Sequence, residues 1–439
     1  MPPRVFALIA YAACAACASA LPPLPPAPPS CAGRVNALPV LDGDASVQVA
    51  SVANGTKWLV SGANLTAPLT VLHLYGGIYD MHFAYGQLMA AEIAALVPQT
   101  LAYIYAAVNA SYNLTWLPEP VRDWVIEAGV EVALDWTANA TAGYSPPHWA
   151  AAVAGLAAGS GASAADLRRV AMIAEWTRAS CSMLGAWGPA SAAATGGSGG
   201  LIQLRALDWD TDGPFQQWPV LAVFHPDART GGFANAQLGW AGMLGAITGV
   251  SASGVGISEK VWDAYAGPYT PFGYAWNFLL ADALMFDADT DAVLSRIASA
   301  NRTCSIWIGV GDVHGNGGGG SFKAVAYSST TVDIFNDKSC AVYPNHDRFD
   351  SLLFINKHVQ PSDEPCMNDL MHAAYGAFSG ALTAAYVTAL EQTGDMHIMV
   401  LDWAADELLV SNASPGGGVM AYDAPFVRFS LAALLAKAR

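Results

Sequence analysis

The chain predicts an α+β protein in which two β-sheets pack face to face with helices outside them. Three observations predict it. Helical periodicity dominates 79–167, short glycine-punctuated strands begin at Cys181, and helix and strand blocks then alternate to the C-terminus. With 54% hydrophobic and only 12% charged residues over 439 positions, there is ample apolar surface for a large core.

Taken in order, 1–20 read as an export signal: Arg4 is a weak positive start, 5–18 an apolar run, and Ala18-Ser19-Ala20 a cleavage pattern that removes Cys14 and Cys17. That run is too short to span a bilayer, and no later stretch is expected to span, so the mature protein is expected to be soluble and without a transmembrane anchor. A proline-rich, extended spacer covers 21–30. Apolar residues at spacings of three and four predict helices at 80–108 with a break at Pro98, at 119–138, at 148–158 and at 164–176, so that 21–180 reads as mainly helical. Strands follow at 181–187, 201–208, 219–224, 243–250 and 254–258, then helices at 271–284 and 289–300. Strands at 305–310, 322–328, 331–336 and 351–355, helices over 366–389, and strands at 397–402 and 408–411 complete the chain, with no internal repeat.

Seven N-x-S/T sequons, at Asn54, Asn64, Asn109, Asn113, Asn139, Asn301 and Asn412, point to the secretory route and to surface positions for those residues. Five cysteines follow the signal: Cys31, Cys181, Cys304, Cys340 and Cys366. An odd count in an oxidising compartment leaves one thiol over; Cys181 is the choice, and the other four are expected to form two bridges of open connectivity. Thirty-five acidic against nineteen basic residues exclude a nucleic-acid partner, which needs a basic stripe, and suit an acidic organelle where self-repulsion falls. The nine histidines and the cysteines match no metal-ligand spacing.

The chemistry concentrates on one hairpin. Cys181-Ser182 opens a strand, and Arg205-Ala206-Leu207-Asp208-Trp209 returns on the next after a glycine-rich turn. A cysteine freed as an N-terminus carries its own base, because its α-amine, with a pKa of roughly 7.7–8.0, takes the thiol proton. Arg205 would lower the thiol pKa by its charge, Asp208 would hold the ammonium, and Trp187 and Trp209 would exclude water. The bland alternative is a core or bridged cysteine with a surface ion pair. Gly196-Gly197-Ser198-Gly199-Gly200 matches the nucleophile-elbow spacing but runs into a strand, so it reads as the hairpin turn, with Ser198 the fallback nucleophile. Gly315 to Gly320 lacks a phosphate loop's lysine and hydroxyl, and reads as a flexible loop.

Cys181-Ser182 followed by Arg205-Ala206-Leu207-Asp208-Trp209 resembles the N-terminal nucleophile hydrolases of the acid ceramidase, penicillin acyltransferase and choloylglycine hydrolase type, which carry C-(T/S) and then R-N-x-D. The resemblance covers most of the mature chain, including 75–88, 239–258 and 302–312, and is nearest to acid ceramidase-like secreted proteins of protists. It implies a four-layer αββα sandwich, with 21–180 as a helical α-subunit and 181–439 as the catalytic β-subunit. It also maps an oxyanion asparagine onto Asn356. Two positions depart from the pattern: Ala206 stands where the family has asparagine, and Asn356-Lys357-His358 lacks the usual threonine-asparagine context.

The expectation is a secreted or lysosomal amidohydrolase that cuts its Ser180-Cys181 bond, keeps both fragments together by packing and a Cys31 bridge, and hydrolyses an N-acyl lipid such as ceramide without a cofactor. The catalytic set is Cys181, Arg205, Asp208 and Asn356. Two alternatives stay open: action on another acyl amide or a phospholipid ester, and a secreted glycoprotein that binds lipid without turnover.

Overall fold

The computed structural model describes residues 24–439 apart from 63, 66, 112–116, 118, 177–179, 198 and 361. The expected export signal, Asn113 and Ser198 lie outside the described residues.

Among the described residues the strands are β1 (Leu41–Asp42), β2 (Val47–Val52), β3 (Gly55–Val60), β4 (Leu69–Gly76), β5 (Ser180–Ala186), β6 (Ile202–Asp208), β7 (Pro219–Pro226), β8 (Asn235–Trp240) and β9 (Thr248–Ser251). They continue with β10 (Val255–Val261), β11 (Ser305–Asp312), β12 (Ser321–Ser328), β13 (Val332–Phe335), β14 (Leu352–Ile355), β15 (His397–Asp402), β16 (Glu407–Asn412) and β17 (Val427–Ser430). The helices are α1 (Ile78–Leu88), α2 (Ala90–Ser111), α3 (Glu119–Ala142), α4 (His148–Ser160), α5 (Ala164–Met172), α6 (Trp276–Phe286), α7 (Thr290–Ser299), the single turn α8 (Gly315–Gly318), α9 (Cys366–Ala374), α10 (Gly380–Leu382), α11 (Thr388–Glu391) and α12 (Leu431–Ala436).

Two sheets form, a seven-stranded one ordered β1-β17-β16-β15-β6-β5-β14 and a ten-stranded one ordered β13-β12-β11-β10-β9-β8-β7-β4-β3-β2. Strand alternation sends successive side chains to opposite faces. Leu184, Leu204, Ala206, Ile398 and Val400 leave the seven-stranded sheet outward, onto Met367, Leu370 and Met371 of α9 and onto Leu382, Val387 and Leu390. Met399, Leu401, Leu408 and Val410 point inward, against Val71, Leu221 and Val223 of the ten-stranded sheet. The far face of the ten-stranded sheet, including Leu72, Ala222, Ile257 and Ile308, is covered by residues of α1 to α6. The result is the expected αββα sandwich.

The helical segment is not the whole of 21–180. Strands β2, β3 and β4 complete the ten-stranded sheet, β4 running parallel to β7, and β1 runs parallel to β17 in the other sheet. Edge strand β2 is mostly exposed, with Ala50 and Val52 partly buried against the core, while Leu69 to Leu74 of β4 are buried along their whole length, so neither shows a full buried/exposed alternation. Pro98 does not break its helix either: α2 runs through it, and the break falls at Met89. Proline removes one hydrogen bond, and here Leu96, Val97, Thr100 and Leu101 on both sides are buried and hold the helix together. Contrary to the expectation that no later stretch spans, α2 is long and apolar enough to cross a bilayer, although a third of that window is buried within the protein. Strand β8 interleaves Asn235 and Gln237 with Ala236 and Leu238, and the strand expected at 243–250 shrinks to β9 because Gly242 and Gly245 turn the chain with φ of 74° and 85°.

Among the described residues one bridge forms where two were expected, Cys31 to Cys366, and Cys340 stays a free thiol. That bridge joins the segment before Cys181 to the segment after it.

Candidate active site

The site is built by the register of three strands. Antiparallel pairing sets Ser180 opposite Asp208, Cys181 opposite Leu207 and Met183 opposite Arg205, while His397 on the other side of β6 also lies opposite Leu207. Parity then sorts the side chains. Cys181, Arg205 and His397 face the layer between the sheets, and Ser182 and Asp208 face the outer helices.

On the inner face the Arg205 guanidinium is fully buried, and its Nη2 donates to Cys181 Sγ at 3.6 Å. Arg205 reaches Glu259 of β10, its Nη2 donating to Oε2 at 3.2 Å and its Nε to the backbone carbonyl at 3.2 Å. Arg205 Nη1 sits 2.9 Å from His397 Nε2, and Thr248 Oγ1 lies 3.4 Å from the same nitrogen. Arginine stays protonated in proteins, so His397 Nε2 is the acceptor and the imidazole is neutral. Burial, with the Arg205 charge second, holds the His397 pKa well below the ordinary range. Burial also pushes the Cys181 thiol up to about 12, against the opposing pull of Arg205. The expected influence of Arg205 is therefore present in direction and outweighed by desolvation, so the sealed thiol is held protonated.

On the outer face Asp208 is cradled by the loop after α11. Gly394 N–H donates to Oδ1 at 2.7 Å and Asp395 N–H at 3.3 Å, while Thr393 Oγ1 donates to Oδ2 at 2.6 Å. Thr393 has one proton, so its 2.7 Å contact with Ser182 Oγ is a bond donated by Ser182. Burial raises the Asp208 carboxyl to about 6, with Lys357, Thr393 and Gly394 restraining the rise. Asp208 does not touch the thiol; the head of β5 separates them.

Asn356 follows β14, whose last pair sets Ile355 opposite Met183, so it stands at the same end of the sheet as Cys181. It is buried, and its Oδ1 accepts from Gln360 Nε2. Of the two tryptophans expected to exclude water, Trp209 lines the cavity beside Arg205, whereas Trp187 follows the last residue of β5, six residues from Cys181 and roughly 20 Å away at strand rise. The glycine-rich stretch is the β5–β6 turn, with φ of 65°, 95° and 63° at Gly196, Gly197 and Gly199.

A cavity opens onto Arg205 and Glu259 between the sheets and α5, walled by Leu207, Trp209, Phe215, Trp240, Leu244 and Ile247. Its lining is apolar apart from Arg205, Glu259 and Asn277. Among the described residues no group of three or more histidines, cysteines or carboxylates is arranged to hold a metal ion.

Sequence reading missed Glu259, His397 and Thr393. Glu259 had a signal, since Glu259-Lys260 puts two charges in an otherwise uncharged, fully buried strand. Lys260 donates to the Lys357 carbonyl at 3.3 Å. His397 and Thr393 had none, because nothing local ties them to a residue 192 or 185 positions away.

No family model matches the chain. Two proteins of Dictyostelium discoideum do: protein dcd1A, 33% identical over 400 residues and covering 88% of each chain, and protein dcd1B, 33% identical over 374 residues, covering 83% of this chain and 72% of the relative. Among solved structures, an N-acylethanolamine-hydrolyzing acid amidase ortholog of Caenorhabditis elegans overlaps 52% of this chain and 96% of its own at 14% identity and a TM-score of 0.36. Penicillin V acylase from Agrobacterium tumefaciens overlaps 53% of this chain and 83% of its own at 10% identity, also with a TM-score of 0.36. Overlaps this slight bear on neither substrate nor activity. Identity of one third along most of both chains does define kinship: this chain belongs to the family of the Dictyostelium dcd1 proteins.

Proposed function

We propose that the chain is a self-cleaving cysteine N-terminal nucleophile hydrolase that acts on the amide bond of an N-acyl lipid of the ceramide type. The observation that carries this reading is the contact of Arg205 Nη2 with Cys181 Sγ, at 3.6 Å, beside an apolar cavity and at the head of a strand whose first residue, Ser180, is exposed. A buried cation on a cysteine thiol has a chemical use, because it favours the thiolate once water and a base reach the sulfur.

Maturation begins with attack of Cys181 Sγ on the Ser180 carbonyl carbon. The peptide C–N bond breaks, the α-amine of Cys181 takes the proton, and water hydrolyses the thioester to leave Ser180 as a carboxylate. The freed amine then acts as base for the thiol. Thiolate attack on the substrate carbonyl expels the amine, and a second water releases the fatty acid. Arg205 stabilises the thiolate, and Asn356, at the same end of the sheet, is the side-chain candidate for the oxyanion. Asp208, opposite Ser180 in the register, is the carboxylate nearest the new terminus along the strand pair. The cavity walls favour an acyl chain over a sugar or peptide.

The secretory route, with a lysosomal or extracellular destination, is supported by the Cys31–Cys366 bridge and by the sequon asparagines, none of which is buried among the six described. The bridge and the shared sheets would keep fragments 21–180 and 181–439 together after the cut.

The test is secretion of the full chain, a reducing gel with N-terminal sequencing, and fatty-acid release from an N-acyl sphingosine, an N-acylethanolamine and a phospholipid. A fragment beginning Cys-Ser-Met-Leu and release from the sphingosine amide are expected. Release from the phospholipid alone would move the substrate class. A second reading, lipid binding without turnover, has support in the thiol being held at about 12; a protein that stays one chain and binds lipid without releasing acid selects it.

A further inference from the structure

The charged cluster behind Cys181 contains a competition that one residue decides. Arg205 offers five N–H donors in a rigid plane. One edge, Nε and Nη2, lies on Glu259, and Nη2 also reaches Cys181. Glu259 has a second oxygen, Oε1, that is buried and has no hydrogen-bond partner. An unsatisfied carboxylate oxygen in a dry site is a strong acceptor, so it pulls the guanidinium toward a two-pronged contact with Glu259 and away from the sulfur. What opposes that slide is at the other end of the plane, where Nη1 meets His397 Nε2 at 2.9 Å.

We propose that His397 is a positioning residue: as a neutral acceptor for Arg205 Nη1, it fixes the guanidinium plane in the orientation that keeps Nη2 on Cys181 Sγ. The proposal rests on the reading of Cys181 as nucleophile. Three features support it besides the distance. His397 is buried on β15, its strand is locked to β6 by a six-residue register, and Thr248 Oγ1 approaches the same nitrogen from β9 of the facing sheet, so the ring is held from both sheets. The imidazole stays neutral because burial and Arg205 itself oppose its protonation. A charged ring would lose the lone pair that Nη1 needs.

The test compares His397→Gln, which retains an acceptor, with His397→Met, which fills the space without a comparable one, and both with wild type, as purified full-length protein assayed for fatty-acid release from an N-acyl sphingosine. For His397→Met, kcat should fall by about tenfold or more, with KM within about twofold, because the interaction acts on the reacting thiol rather than on the bound chain. His397→Gln should restore kcat to within about threefold of wild type. Equal kcat in the two variants, or wild-type kcat in His397→Met, overturns the assignment. Should His397→Met fail to fold, His397→Asn takes its place: its shorter amide does not reach Nη1, so it should lose what His397→Gln keeps, and parity again overturns the proposal. Cys181→Ala separates the two levels. If that variant still releases fatty acid, the nucleophile is elsewhere and both readings fall; if it is dead while His397→Met matches wild type, only the positioning role falls.

Discussion

The two ends of the β5–β6 hairpin are made of the same two strands and behave oppositely. At the open end, Cys181, Arg205 and Asp208 are joined by Glu259, His397 and Thr393 in hydrogen-bonded networks on both faces of the sheet. At the turn end, Trp187 and Leu201 pack on Phe322 and Leu353 in an apolar cluster, and the connection is a run of glycines. The turn end carries the G-x-S-x-G spacing and the open end carries none, yet among the described residues it is the open end that gathers a thiol, a cation and carboxylates. Register and strand parity assemble chemistry here; a short motif in a turn does not.

The sharpest way to break that comparison is to remove the candidate nucleophile at each end in turn. Cys181→Ala should abolish both chain cleavage and fatty-acid release while the protein is still exported, and Ser198→Ala should leave both intact. Cleavage that survives the first substitution and fails in the second would reverse the two ends.

Next in size is Arg205→Met, which leaves the Glu259 carboxylate buried without its cation. A loss of about 3–5 kcal/mol in chemical denaturation is expected, with turnover down roughly 100-fold in the protein that folds. A stability change near zero would mean that Glu259 simply takes up a proton, toward which burial already pushes it.

The open end is also where pH should act. Glu391, at the end of α11, is buried with both carboxyl oxygens lacking hydrogen-bond partners; burial raises its pKa to about 8, with Glu364 and Asp208 adding to the rise and Lys357 opposing it. A folded pKa above the unfolded value near 4.5 means that the folded state holds the proton more tightly. Its contribution is whole below about 4.5 and is lost as pH rises through about 8. Glu391→Gln stays neutral throughout, so its melting temperature should exceed that of wild type by a few degrees at pH 8.5 and match it near pH 4.5. Identical melting curves at both pH values would remove Glu391 from the pH response.

The smallest effect on chemistry is expected at the turn. Gly199 has φ of +63°, and a Cβ there would stand 2.5 Å from backbone atoms of Gly188, so Gly199→Ala should cost stability, on the order of 1–3 kcal/mol, and leave turnover per folded molecule unchanged. A selective loss of turnover would tie the two ends together.

What was legible in the chain was whatever is written locally. The strand at His397–Asp402 is recovered residue for residue, because a short apolar run bounded by Gly394 and Asp402 is a local signal even though all six of its residues are buried. The Cys181 and Arg205 pair was legible because a single hairpin joins them and its turn is written in glycine. Strands β2 to β4 were not legible as strands: β2 is an exposed edge strand with little burial to mark it, and β4 is buried along most of its length without a clear alternation. The choice of Cys366 as the partner of Cys31, 335 residues away, was likewise open, as spacing does not rank connectivities.

By itself, then, the sequence determined the layer architecture, the hairpin and the residue types at its open end, because each depends on neighbours a few positions apart. Only the tertiary structure decided that Asp208 and Cys181 lie on opposite faces, that Glu259 and His397 grip the two ends of Arg205, and that burial outweighs Arg205 in setting the state of the thiol. Those outcomes depend on register, on which sheet faces which, and on how completely water is excluded. Desolvation and charge pairing act through space, and the distances that set them are fixed only when the two sheets close on each other.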